Sequence, residues 1–396
     1  MNTLFRTLER WIIFYQKNSR ISSLNNSSKM TYISGIILII CMYIFSGCRW
    51  VITSVTSPSP GSSFVEWCLQ RSRLPTEARK IVDVLLEKAD TSDCEQAANK
   101  LLSHTELYLG NYHIGDLRPL EGLINLTLLD LNNNQITDVS PLAKLTNLNW
   151  LYLNNNQITD VSPLAKLTNL ELLKLGNNQL TDISPIAELT NLNWLILYSN
   201  QITDISSLAK LTNLSRLNLS YNQITNVSSL TELTNLRKLN LYSNQITDIS
   251  LVEKLTNLQK LYLGRNKIKN ISFVSELNHL ELLSLGENQI TDISSLAGLK
   301  NLNILLLNHN QITDISPLAG LLNLQLINLA ENQILDISSL SGLTNLNWLI
   351  LMNNQITDIS PLAKAKSLRQ VHLEDNPIAQ QTCPTHTCFF GNSDED

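Results

Sequence analysis

The chain is short of aromatic residues, of excess positive charge and of histidine, and each shortage removes a class of protein. Aromatics make up 6% of the 396 residues while hydrophobic residues reach 43%, so a core must be built mainly from aliphatic side chains. The formal net charge is −5. Nucleic-acid binders carry a basic field to meet phosphates, and that class is set aside. Six histidines are scattered: His104, His113, His279, His309, His372 and His386. Only His386, between Cys383 and Cys388, has other metal-ligand residues close by, and no fourth ligand lies near. There is no nucleophile elbow, phosphate loop or HExxH motif. Carboxylates such as Asp138, Asp160 and Asp182 recur at a fixed interval, as turn caps do, whereas a catalytic acid is expected once. These absences argue against an enzyme and call for no cofactor and no metal.

What is abundant is a repeat. Twelve asparagines recur every 22 residues, from Asn134 through Asn156 and Asn178 to Asn376. Residues 148–169 read LNWLYLNNNQITDVSPLAKLTN, and the frame L-x-x-L-x-L-x-x-N-Q-I-T-D-I-S-P-L-A-x-L-T-N returns around each asparagine. It matches the leucine-rich-repeat signature in pattern and period. A degenerate copy begins at His104, with Tyr112 in the asparagine position, which makes thirteen units with the last incomplete. The expected fold is α/β, a horseshoe solenoid. Its parallel β-sheet lies on the concave face, 3₁₀ or short turns on the convex face, and a helical cap in front. Leu148, Leu151, Leu153, Ile158, Val161, Leu164 and Leu167 should fill one coil. Burying each contributes about 1.5–3 kcal/mol, so a stack can be stable where one coil cannot. The asparagine amide can satisfy backbone groups of neighbouring coils, as scaffold and not as ligand. Thr-Asp-Ile-Ser-Pro suits a tight helical turn capped by Asp or Ser.

The repeat NQITDISPLAxLTNL resembles that of the internalin-type leucine-rich-repeat proteins of bacteria, over residues 104–380. The tract CLQRSRLPTEARKIVDVLLEKADTSDCEQAANKLLSHTELYLGN is similar to the cap of cyanobacterial members. The resemblance implies an exported protein that binds other proteins. The sequence has no LPxTG-type sorting motif and no sheet-rich domain after the repeats, so it carries over neither an attachment nor a partner.

Residues 64–103 are expected to form the cap and 381–396 a C-terminal cap or tail. Ala78, Ile81, Val82, Leu85, Leu86 and Ala89 make one helical stripe after Pro75. A second helix should start at Ser92 through a Ser-x-x-Glu capping box with Glu95, followed by Ala97, Ala98, Leu101 and Leu102. This pair can lie over the first coil. Cys68 and Cys94 bracket the first helix, and Cys383 and Cys388 enclose a short loop with Phe389 and Phe390 beyond to cover apolar edges. Four cysteines allow three pairings, and the two local ones are preferred. Disulfides imply an oxidising compartment.

Residues 1–30 carry Arg6, Arg10, Lys17, Arg20 and Lys29 against Glu9 alone, and an apolar run from Tyr32 to Phe45 follows. That order suits a signal or membrane anchor over 31–52. As an anchor it falls short of the ~20 apolar residues of a spanning helix. As a lipoprotein signal it ends Phe45-Ser46-Gly47-Cys48, which makes Cys48 the lipidated residue. Met30 is a second candidate start. Either reading places the repeats in the periplasm or outside the cell, behind a flexible linker at 53–63.

In each strand side chains alternate in and out. The third, fifth and seventh positions of the unit face outward and the eighth sits at the rim. The third row reads Leu128, Trp150, Leu172, Trp194, Arg216, Lys238, Lys260, Leu282, Ile304, Leu326, Trp348 and Gln370, a basic centre between apolar flanks. The other rows add Tyr152, Ile196, Tyr198, Tyr221, Tyr242, Tyr262, Arg265, Ile350 and Met352. Exposed Trp, Tyr and Arg are the usual anchors of interfaces. The expected partner is a protein with an acidic centre and apolar flanks. A glycan is the alternative, because Trp and Tyr also stack on sugars; a spacer without a ligand would need no such decoration.

Overall fold

In the computed structural model, residues 63–379, 382–383 and 388–390 are described; the anchor or signal segment, Cys48 and residues 53–62 of the linker lie outside them. The N-terminal cap comprises α1 (Phe64–Leu69), α2 (Thr76–Ala89) and α3 (Cys94–Ser103). The sequence pattern called for two helices and missed α1. Its signal is present: Ser63 Oγ accepts from the Glu66 N–H at 3.4 Å and the Glu66 carboxylate accepts from the Ser63 N–H at 3.0 Å, a reciprocal cap. Ser63 therefore belongs to the cap and not to the linker. Trp67 on α1 is fully buried, with the Arg118 guanidinium 5.1 Å from its ring centre.

All six stripe residues of α2 are buried. The helix ends at Asp90 in the left-handed region (φ 49°), and Lys100 of α3 donates to the terminal carbonyls of Ala89 (2.8 Å) and Asp90 (3.3 Å). The cap of α3 is Asp93, not Ser92. The Asp93 carboxylate accepts from the Gln96 N–H at 2.8 Å, and the Asp93 N–H is itself held by Thr91 Oγ1 at 3.2 Å, which sets the extended conformation a cap requires. Leu102 is 39% exposed and lies off the packed face that holds Ala97, Ala98 and Leu101. Cys68 and Cys94 are bonded, with Cα atoms 5.6 Å apart, so the bridge ties α1 to the start of α3.

Thirteen three-residue strands follow at 22-residue intervals, β1 (Glu106–Tyr108), β2 (Leu128–Asp130), β3 (Trp150–Tyr152) and onward to β12 (Trp348–Ile350) and β13 (Gln370–His372). Each pairs in parallel with the next, equivalent residues opposite one another, as in Trp150↔Leu172. Eleven five-residue 3₁₀ helices, Ser140–Lys144 through Ser360–Lys364, form the opposite side. Each begins where an aspartate or asparagine accepts from the N–H of the serine two residues on, as Asp138 does from Ser140 at 2.8 Å. Leu148, Leu151, Leu153, Ile158, Val161, Leu164 and Leu167 are at most 1% exposed, and their equivalents join one continuous apolar cluster with the cap.

The asparagines form the ladder expected of them. Asn156 donates to the carbonyls of Leu131 in the preceding coil (3.0 Å) and Leu153 in its own (3.1 Å), and accepts from the Ile136 N–H at 3.0 Å. A second ladder was not foreseen. Asn147 donates to Ile124 O, Asn169 to Thr146 O and Asn191 to Thr168 O, each at 2.9 Å, and the series continues along the array with His279 taking one rung at 3.0 Å from Thr256 O. Its signal is the Asn of the L-T-N triplet, which returns in every coil but those with His279 and Ser367.

The C-terminal end also holds a surprise. Cys383 and Cys388 are bonded, and Cys388–Phe389 forms β14, a fourteenth parallel strand paired with β13. The sequence suggested that both phenylalanines cover apolar edges. Phe390 packs on the core, but Phe389 remains 39% exposed and stacks on the His372 ring with centroids 4.6 Å apart. Cys388 and Phe389 of the strand point to opposite faces, so Cys388 packs on the core and Phe389 turns away from it.

Candidate functional site on the open face of the sheet

Because the middle residue of each strand is buried, its neighbours face solvent. Trp150 (44% exposed), Tyr221 (49%) and Trp348 (44%) stand out, Arg216, Lys238, Lys260 and Arg265 are also exposed, and Tyr152, Trp194, Ile196, Tyr198, Tyr242 and Tyr262 are half-buried. All of these but Trp348 lie on or beside six consecutive strands, β3 to β8. At ~4.8 Å per strand they span about 24 Å. Trp348 lies four strands further on, separated from them by half-buried Leu282, Ile304 and Leu326. Two members of the third row are not exposed: Leu128 is 5% and Leu172 8% accessible. Leu172 sits between Trp150 and Trp194 in register.

The side chains make a connected layer. Lys174, overlooked in the sequence, places its ammonium 4.7 Å from the Tyr152 ring centre and 4.9 Å from that of Trp194, and the Arg216 guanidinium lies 5.0 Å from the Trp194 ring. Tyr152, Lys174, Trp194 and Arg216 thus alternate ring and cation across four strands. Each contact contributes about 0.5–2 kcal/mol depending on desolvation, so Trp194 is held before any ligand arrives. Burial under the rings lowers the Lys174 pKa. Burial also raises those of Tyr152, Tyr242 and Tyr262, which keeps these phenols neutral. Lys238 lies 5.5 Å from the Tyr262 ring, and Tyr221 meets Tyr242 edge to face at 5.4 Å. The Tyr242 hydroxyl donates to Glu287 at 3.1 Å, and Glu287 lies 3.9 Å from Arg265. Gly176 permits this packing: a Cβ there would come within 2.2 Å of the Tyr198 ring.

Arg216, Lys238 and Lys260 stand in adjacent strands at matching register and form no ion pair with a described residue. The layer therefore offers rings for apolar contact and three unneutralised cations for carboxylates. At the rim, the eighth position of every coil has positive φ, with Tyr221 and Arg265 both at 55°. Among the described residues no group of three or more His, Cys, Asp or Glu could hold a metal. Among them, too, no helix is long and apolar enough to cross a membrane.

Known proteins place this geometry. The family model described as Leucine Rich repeats (2 copies) matches residues 105–144, 146–188, 190–232, 234–279, 278–320, 300–342 and 344–382. The chain is a leucine-rich-repeat solenoid, a scaffold that typically binds and does not catalyse. Its structure is similar to that of an internalin, InlF of Listeria monocytogenes, with 34% identity over 83% of this chain and 100% of that one, at a TM-score of 0.67. The chain belongs to the internalin-type bacterial leucine-rich-repeat proteins. It is also similar to a leucine-rich-repeat protein of Leptospira interrogans (26% identity, 72% of this chain and 87% of that, TM-score 0.59). A third similarity is to the Arabidopsis receptor kinase HAESA, solved in complex with the peptide hormone IDA and the co-receptor SERK1 (26% identity, 69% of this chain and 50% of that, TM-score 0.61). No curated protein sequence matches the chain.

Proposed function

We propose that the chain is an exported, membrane-tethered module that binds a partner protein through the open face of strands β3 to β8. The observation that carries this reading is the ring-and-cation layer built around Trp194, next to three cations with no counter-charge. Water-exposed rings and unpaired cations add nothing the coil needs to fold, and a partner with apolar groups beside carboxylates would use both. The binding of a peptide hormone by HAESA supports the choice of a protein ligand. For tethering, the support is the basic N-terminal segment followed by the Tyr32–Phe45 apolar run, together with two disulfides that suit an oxidising compartment.

Pull-down from a cell-surface extract, with wild type and a Trp194→Ala/Arg216→Ala variant compared, tests the binding face. The variant should lose the specific partner while keeping its circular dichroism, with only a modest fall in melting temperature from the lost ring–cation contacts, because neither side chain lies in the coil interior. Undiminished capture of the same partner would refute this face. Mass measurement of the mature N-terminus tests the tether: a lipidated Cys48 or an intact segment 31–52 supports it, and an unmodified chain cleaved beyond residue 52 overturns it.

A further inference from the structure

The array contains its own controls. Among the twelve units centred on the ladder asparagines, the position after the asparagine is Gln in ten, and the exceptions are Lys267 and the terminal Pro377. Two residues further on it is Thr in nine, and Lys269 is the only charged exception. The aspartate that follows is Asn270 in the same unit, an exchange shared with Asn226 two coils earlier and, as Gln380, with the terminal unit. One coil, the one carrying β8 (Lys260–Tyr262), thus gains two cations and loses a carboxylate on a flank that is otherwise acidic or neutral.

The scaffold does not ask for this. Asn270 Oδ1 accepts from the Ser272 N–H at 2.9 Å, the turn bond that aspartate makes in neighbouring coils at 2.8 to 2.9 Å, so the exchange spares the fold and removes only charge. The Lys267 N–H makes the same bond to Ile246 O (2.9 Å) that Gln245 makes to Ile224 O (2.9 Å). Both lysine side chains are exposed and neither forms an ion pair with a described residue. They border an open hollow of about 650 Å³, where Asp248 of the preceding coil is the one lining carboxylate and its Oδ1 is engaged by the Ser250 N–H at 2.9 Å; the hollow lies beside Phe273, which is 2% exposed where other coils carry Pro, Ser or Leu. Around the same coil run Lys260 on the sheet face and Arg265 at the rim, so cations follow the chain from the sheet face onto the flank.

We infer that the flank of the β8 coil, at Lys267, Lys269 and Asn270, is a second contact surface, separate from the open sheet face, that takes a carboxylate-rich segment of a protein partner. Charge complementarity identifies the occupant: two unpaired ammonium groups on alternate residues of an extended chain, an amide in place of the customary carboxylate, and a hollow wide enough for acidic side chains.

The test uses the full chain and a fluorescein-labelled peptide of alternating Glu and Ser, read by anisotropy at low salt, with heparin as a second probe. Lys267→Gln/Lys269→Thr restores residues that other coils carry, so folding is preserved, and affinity for the peptide should fall at least tenfold. Lys364→Gln/Lys366→Gln, an equal charge change on another coil, should shift it less than threefold. Equal losses from both pairs, no peptide binding by wild type, or a Lys267/Lys269 dependence seen with heparin alone would each overturn the proposal. A loss with Arg216→Ala but not with Lys267→Gln/Lys269→Thr would also refute it while leaving the open-face reading intact.

Discussion

The two ends of the solenoid solve one problem by different means. A stack of coils exposes apolar surface at both terminal faces. At the N-terminal end three helices cover it: Trp67, Ile81 and Leu85 are fully buried and continuous with Leu107 and Leu109 of the first coil. At the C-terminal end the sheet itself is extended by β14, with Cys388 and Phe390 only partly buried against the core. One end is sealed by volume, the other by a single added strand that starts where a disulfide-closed loop ends. Both ends carry a disulfide, and the difference teaches that one short strand pinned this way can finish an end that otherwise takes three packed helices.

Three measurements break or sharpen this contrast. The largest effect should come from Trp67→Ala, which empties the centre of the helical cap and should cost about 3–5 kcal/mol in urea denaturation. Phe389→Ala at the other end, mostly a surface stack, should cost about 1 kcal/mol or less. Similar losses would mean that the ends are sealed alike. Next come the disulfides. Their sequence separations are 26 and 5 residues, for which the chain-entropy relation gives about 3.5 and about 2 kcal/mol. Cys68→Ser/Cys94→Ser should therefore lower the melting temperature more than Cys383→Ser/Cys388→Ser, and the reverse order would show that the C-terminal bridge holds β14 in place beyond its effect on the unfolded chain. The third comparison uses the ladder, where the difference between the two positions is the smallest of the three. Asn244 is 8% exposed and bridges Leu219 O, Leu241 O and the Ile224 N–H. Its replacement by Ala strands those groups and should cost about 1–3 kcal/mol. Asn376, half-buried in the last coil, makes similar bonds near solvent, and Asn376→Ala should cost less. Equal costs would show that water does not reach that end.

The repeat made most of the architecture readable, because a residue type that returns every 22 positions must serve the same local need each time. Leu148, Leu151 and Asn156 could be assigned inward and bridging roles before any coordinates. What was missed lacks repetition or depends on distant neighbours. The α1 helix is six residues long and announces itself only through Ser63 and Glu66. Ser92 looked like a cap because Glu95 follows at the right spacing, and the Thr91 hydroxyl moved that role to Asp93. β14 has no partner motif in sequence, since its register on β13 arises from a loop closed by Cys383. On the binding face, the outward rows were legible from alternation. That Leu172 is buried in an otherwise outward row, and that Lys174 lies between two rings, depend on side chains 22 residues apart.

The rim position has a consequence of a different kind. All thirteen coils hold their eighth residue at φ between 51° and 68°, a conformation that glycine adopts freely, yet the thirteen residues there are Asn, Ser, Tyr, Arg, Glu, His and Asp, never glycine. A non-glycine residue in that region costs on the order of 1 kcal/mol or more. Asparagine and aspartate tolerate it best, and they occupy the outer coils; Tyr221, Arg265 and Glu287 tolerate it less well and occupy the interior of the array. The rim is therefore a line of permanent small frustrations, where side-chain identity has been kept against the backbone's preference. In such an array, glycine at the rim is the change to make for a tougher scaffold, and the change to avoid for a molecule that must still recognise something.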